Sequence, residues 1–330
     1  MITLFNPFDW DGPALHARST EWIVDLDAEI TGSETQKFLS CNADHWQDST
    51  NVGLPDSLKS VSIRLQELIL RRTGIALLKC RSQCTRDDEA RLLQLILGCE
   101  FGLNVTRTPE SDDRPLFALE EKQDPTASGR FSGNGLRSNV IGFHTDGSGS
   151  TDRNVDLLTM LCLRPARLGG QSRVANAQMA YQSLPLAAKD ALAKPFPREN
   201  PYAPEADLAT LKLAPIFNKM ERHGVSYFNF SYHPQFVRNG IGGDLGNFGA
   251  AADALNLLDA ALERFSCDIN LMTNEILFIN NCVIAHDRRA FIDDPQSKRL
   301  LERFWAGSFI ETVVTGESDD SRSSLLEARK

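Results

Sequence analysis

Six histidines and 44 acidic residues are spread over 330 positions. Chance alone gives about one His-x-Asp/Glu triplet in such a chain, so the triplet means nothing without partners. One sits in "IGFHTDGSGS": His144, Thr145 and Asp146, just before a Gly/Ser turn. On an extended strand, residues i and i+2 point to the same face. His144 and Asp146 then share one space, and Thr145 points away. An imidazole and a carboxylate so placed are two ligands for a divalent metal. One more histidine would complete a face of an octahedron and leave three positions open. That set suits non-haem Fe(II) and its oxygen chemistry.

Candidates for the third ligand are few. His16 and His45 lie in an N-terminal stretch (1–50) that reads as irregular, and His223 sits in a turn, "ERHGVS". His233 precedes a proline in "YHPQF" and could be a packing residue. His286 ends the apolar run "ILFINNCVIAH", where a buried strand emerges. Read alone, His286 is more often a hydrogen-bonded rim histidine than a ligand. Arg299 and Arg303 follow in "KRLLERFWAG", separated mostly by apolar residues. A buried arginine must be paired, because an unpaired charge in the interior is costly. Its partner is either internal, such as Glu302 or Asp287, or a carboxylate-bearing cosubstrate that matches its planar fork.

The elements that must position these residues are legible in outline. "PDSLKSVSIRLQELILRRTG" (55–74) is an amphipathic helix from a Pro-Asp-Ser start to Gly74. "IALLKC" (75–80) reads as a buried strand, and 85–98 as a second helix with an acidic first turn. Residues 104–138 are polar, rich in Gly, Pro and Ser, and without a clear period. A loop this long is usually functional or disordered, so an active-site lid is expected there. Strands then dominate, in "NVIGFHTD", "VDLLTMLCLRPA", "GGQSRVANA", "VSYFNFSY", "EILFINNCVIAH" and "RLLERFWAGSF". A helix is expected over 249–266 and a flexible tail over 315–330. No GxGxxG, P-loop, repeat or linker interrupts the chain. The pattern predicts one domain over 1–330, mainly β with α, a jelly-roll core decorated by helices.

Composition narrows the partners. Apolar residues make up 42% and charged residues 24%, as in a soluble globular protein. A net charge of −9 gives no support for nucleic-acid binding. No run of about 18 apolar residues predicts a membrane span. The acidic start lacks the pattern of a secretion signal. Seven scattered cysteines without a CxxC read as reduced thiols, so a cytoplasmic location is expected.

"FHTDG", "LLTMLCLRPARLGGQSRVANA", "NNCVIAHDRRAF" and "RLLERFWAG" together resemble the TauD/TfdA-like Fe(II)/2-oxoglutarate dioxygenases. The resemblance spans roughly 140–309, in four blocks in the family's order. It implies a double-stranded β-helix, with His144, Asp146 and His286 as iron ligands. It implies that Arg299 and Ser172 bind the distal carboxylate of 2-oxoglutarate, and that Arg303 meets an anionic group of the substrate. Asp287 stands where the family pattern has glycine, and it could alter a turn or pair with Arg288. Ser172 stands where threonine is usual and keeps the hydroxyl. The implied cofactors are Fe(II), 2-oxoglutarate and O2. The implied reaction hydroxylates, desaturates or cyclises at a C–H bond of a small anionic, amino-acid-like or natural-product substrate, with release of succinate and CO2. A carboxylate at Asp146, rather than Gly or Ala, leaves no iron site for a halide. Two readings compete with this one, a zinc-dependent hydrolase and a non-catalytic jelly-roll binding protein. The hydrolase would not need Arg299 or the "GGQS" hydroxyl, and the binding protein could lose a ligand, whereas all three are present.

Overall fold

A computed structural model describes residues 9–30, 33–104, 115–120, 142–148, 155–198, 212–222, 225–242, 245–294 and 296–307. Two sheets form its centre. The larger has the order β1 (Ile23–Asp25), β2 (Ile75–Lys79), β13 (Glu275–Asn280), β5 (Leu157–Arg164), β16 (Leu300–Gly307) and β3 (Leu103–Asn104), with β4 (Phe117–Glu120) also on β16. The β1–β2 pair is parallel, and the pairs along β2, β13, β5 and β16 are antiparallel. The smaller sheet is β12 (Ser266–Ile269), β7 (Ser172–Asn176) and β14 (Ile284–Arg288), antiparallel throughout. Three ribbons complete the set: β6 (Leu168–Gly169) with β15 (Phe291–Ile292), β8 (Phe196–Arg198) with β9 (Lys212–Ala214), and β10 (Phe217–Arg222) with β11 (Val225–Phe230).

The two-residue period of a strand sorts the side chains into layers. Along β5, Leu158, Met160 and Cys162 face inward with Leu277, Ile279, Leu301 and Trp305. They meet Val174, Cys267, Ile269 and Ile284 of the smaller sheet. This shared layer makes the two sheets a jelly roll, at about 1.5–3 kcal/mol for each large apolar side chain buried. The alternate residues Leu157, Leu161, Ile276, Phe278 and Phe304 pack outward. They are covered by Leu58, Val61 and Leu65 of helix Asp56–Glu67 and by Leu92, Leu93 and Ile96 of helix Asp87–Cys99. Behind the smaller sheet, Ala175 and Ala285 lie under Leu255, Leu258 and Leu262 of helix Leu245–Arg264.

Several expectations are revised. Residues 12–51 are not irregular: they hold short helices at Gly12–Ala17, Ser19–Trp22, Leu26–Glu29 and Glu34–Asn42, a 3-10 segment at Ala43–Asn51, and β1. These pieces are too short to show a period, and buried Trp10 and Trp22 anchor them. Within the expected 104–138 loop, Phe117–Glu120 forms β4 on β16. The rest of that segment, apart from residues 104, 115 and 116, lies outside the described residues, as do His223 and the 315–330 tail. The run "EILFINNCVIAH" is two strands, β13 and β14, joined at Asn281 where the chain crosses between sheets. The seven cysteines are free thiols. No helix among the described residues is long and apolar enough to cross a membrane.

Candidate metal centre

Period-2 alternation on β14 turns Ile284, His286 and Arg288 inward and Ala285 and Asp287 outward. On β16 the same rule turns Leu301, Arg303 and Trp305 inward. His144 arrives from the other side. It is not on a regular strand, because Gly142 has φ +91° and, among the described residues, only a single antiparallel bridge forms, with His286. Two backbone bonds make that bridge: His144 N–H to His286 O and His286 N–H to His144 O, both 2.9 Å. The two histidines are thus locked to each other by main chain.

Asp146 closes the group. Its Oδ1 lies 3.7 Å from Nε2 of His144 and 3.7 Å from Nε2 of His286. One ligand atom from each of the three residues lies within 4.8 Å of the others. All three side chains are about nine-tenths buried. His144 Nδ1 is 2.9 Å from the Gly142 carbonyl. A carbonyl only accepts, so Nδ1 carries the proton and Nε2 presents its lone pair to the group. Burial pushes His144 down to about 4, with His286 adding to the shift and Asp146 opposing it. The imidazole is therefore neutral and ready to ligate at neutral pH. Burial works to raise the Asp146 carboxyl, yet Arg303 and His286 outweigh it and hold it well below the usual carboxylate range.

Three residues hold Asp146, a task that sequence reasoning gave to none of them. Trp305 Nε1–H donates to Oδ2 at 2.7 Å, and Arg303 Nη1 donates to the same oxygen at 3.2 Å. Asn281 donates to the Asp146 carbonyl at 3.0 Å and accepts from its N–H at 3.0 Å. Trp305 was findable, since it lies two residues past Arg303 and shares its face. Asn281 had no sequence signal beyond its place at the corner between strands. Arg303 had been expected to meet substrate, but in this structure its carboxylate partner is Asp146, and neither Glu302 nor Asp287 pairs with it among the described residues. Glu302 instead binds Arg91 at 2.8 Å.

Arg299 and Ser172 lie in the same interlayer region. Arg299 sits just before β16, is 5% exposed, and has no carboxylate partner among the described residues. Burial and then the nearby Arg288 push its guanidinium down to about 10. Arg299 and Arg288 both approach one ring, with guanidinium carbons 5.2 and 4.6 Å from the Phe291 centroid. Ser172 is buried on β7, directly opposite Arg288 in register. Gly169 and Gly170 give the chain its positive-φ corner ahead of Ser172. A Cβ on Gly169 would fall 2.2 Å from the Ala290 carbonyl, so glycine is needed there. His233 is brought to the rim of the site but not into the cluster. Its ring centroid is 5.1 Å from that of His144, and it stacks on Phe236 at 3.8 Å.

A jelly roll with two imidazoles and one carboxylate converging between its sheets defines a class, the mononuclear non-haem iron oxygenases. The family described as "Taurine catabolism dioxygenase TauD, TfdA family" matches residues 40–305, and the chain belongs to it. A uridine-5'-phosphate dioxygenase from Streptomyces sp is 27% identical over 168 residues, 49% of this chain. The chain spans only 60% of that relative's length. Among solved structures, asparagine oxygenase in complex with Fe(II), 2S,3S-3-hydroxyasparagine and succinate superposes with a TM-score of 0.65. It is 15% identical, over 87% of this chain and 93% of that one. The non-heme iron oxygenase OrfP in complex with Fe and alpha-ketoglutaric acid gives a TM-score of 0.59 at 17% identity, over 87% and 94%. At these identities the two structures speak for the fold.

Proposed function

We propose that the chain is an Fe(II)- and 2-oxoglutarate-dependent oxygenase of a small polar molecule. The observation that carries this reading is the convergence of His144, Asp146 and His286 on one point between the sheets. The donor set fits Fe(II), with two imidazole nitrogens, one carboxylate oxygen, and the rest of the coordination sphere left to other ligands. When bound, iron with 2-oxoglutarate and O2 supplies the chemistry that oxidises a C–H bond and yields succinate and CO2. The chain's own residues do the rest. His144, Asp146 and His286 hold the metal, and Trp305, Arg303 and Asn281 fix Asp146. Arg299 is a buried cation without a carboxylate among the described residues, and 2-oxoglutarate brings one. Ser172 would add a hydroxyl to the same end.

The substrate reading follows from charge and from the relatives. Arg303 stacks on Trp305 at 4.0 Å and on Phe117 at 5.0 Å, and its Nε–H is buried without a partner among the described residues. An anionic group on the substrate would complete it. Amino acids and nucleoside monophosphates both carry such a group. The test is direct. Anaerobic Fe(II) plus 2-oxoglutarate should give a visible metal-to-ligand charge-transfer band, and air should then yield succinate. Absence of both in folded protein would sink the reading. His286→Ala should abolish the band; a band that persists through His233 refutes the ligand assignment. L-asparagine, L-arginine and uridine 5'-monophosphate, scored by coupled succinate release, are the first substrates to compare.

A further inference from the structure

We infer that Asp287 is a positioning residue for the metal ligands, tying the backbone just ahead of His144 to the strand that carries His286. The inference rests on the metal-site reading above. Asp287 faces outward on β14, away from the ligand cluster, so it is not itself a ligand. It is 3% exposed, and a buried carboxylate needs partners. Both oxygens have them: Oδ1 accepts from Gly142 N–H at 3.1 Å, and Oδ2 from Arg173 Nη1 at 3.1 Å. Arg173 is fixed in turn by Glu263 and Asp268, and its guanidinium lies 4.5 Å from the Phe143 ring centroid. The carboxylate therefore cannot swing.

Gly142 is what this brace holds. Its φ of +91° takes it off any regular ladder. Its carbonyl is the partner of His144 Nδ1 and so selects the tautomer that leaves Nε2 free. A chain of contacts runs from Arg173 to Asp287, to the Gly142 peptide, to the His144 ring. Without Asp287, His144 keeps its backbone bridge to His286, but the carbonyl that orients its imidazole loses its anchor. Ligands held loosely bind metal more weakly, because ordering them is then charged against binding.

Titration with Co(II), followed by its visible absorption, tests this without turnover. Asp287→Ala and Asp287→Val should weaken Co(II) affinity tenfold or more. Asp287→Asn keeps an acceptor for Gly142 N–H and should stay within threefold of the parent. Arg173 retains Glu263 and Asp268 in every variant, and the β-branched valine suits a buried strand should the alanine variant fold poorly. Parent-like affinity in the Ala or Val variant overturns the inference. So does an Asn variant as weak as Ala, since the bond to Gly142 would then not be what matters. A parent protein that does not bind Co(II) instead brings down the metal-site reading, and this inference with it.

Discussion

Trp305 donates its indole N–H to Asp146 Oδ2 at 2.7 Å, while Oδ1 of the same carboxylate faces both histidines. The two oxygens thus have separate tasks, one turned to protein donors and one to the ligand cluster. A hydrogen bond to a charged acceptor contributes about 1.5–3 kcal/mol. Trp305→Phe keeps an aromatic ring but loses the donor together with one ring of the buried indole. The metal-free protein should be destabilised by at least that amount in urea unfolding. A change within error would mean that Arg303 alone suffices to hold the carboxylate.

Arg303 supplies the nearest side-chain cation to Asp146 when no metal is bound. Removing one member of a buried ion pair typically costs about 3–5 kcal/mol. Arg303→Met should show a loss of that order in EDTA. With saturating Co(II) the loss should shrink, because the metal then supplies the positive charge. Urea unfolding in the two conditions checks it. An equal loss in both would place the metal away from Asp146.

The parts of this site that were legible in sequence are those whose side chains do chemistry at short range. His144 and Asp146 are two residues apart, and His286 ends a long apolar run, so type and context made them candidates that the resemblance then joined as a ligand set. Residues that act through backbone were not legible. Asn281 matters because β13 and β14 belong to different sheets, and a continuous apolar run hides that corner; Gly142 matters through its positive φ and its carbonyl, which no side-chain pattern shows. Asp287 was read as a turn residue or a partner of Arg288. Alternation along β14 puts those two on opposite faces, and Arg173, opposite Asp287 in register, is the partner found. The N-terminal helices escaped notice because each is only four to nine residues long. Their order comes from tertiary anchors such as Trp22 Nε1–H on the Leu15 carbonyl.

The depressed His144 pKa makes metal-free stability depend on pH with a definite sign. Folded His144 stays neutral down to about 4, against an ordinary value of 6.5. Between these values the unfolded chain binds the extra proton, so stability falls as pH drops through that window. Asp146, also held low, adds a further loss as pH falls below its ordinary 3.8. Urea midpoints in EDTA should decline from pH 7 to pH 4.5, and His144→Asn should flatten the decline. An unchanged slope in that variant would assign the dependence to another group.

Arg299 should govern cosubstrate affinity and leave the metal alone. Its guanidinium is buried without a carboxylate among the described residues, and burial already works against its charge. A carboxylate docked there relieves that cost, and losing one partner of such a pair costs about 2–5 kcal/mol. Arg299→Ala should therefore weaken 2-oxoglutarate binding by roughly thirtyfold or more, read from the charge-transfer band at fixed Fe(II). Ser172→Ala removes one neutral donor worth about 1 kcal/mol, so roughly fivefold is expected. Co(II) affinity should stay at the parent value in both. If Arg299→Ala binds 2-oxoglutarate normally, the cosubstrate's far end lies elsewhere, and Arg288, which approaches the same Phe291 ring, becomes the residue to change next.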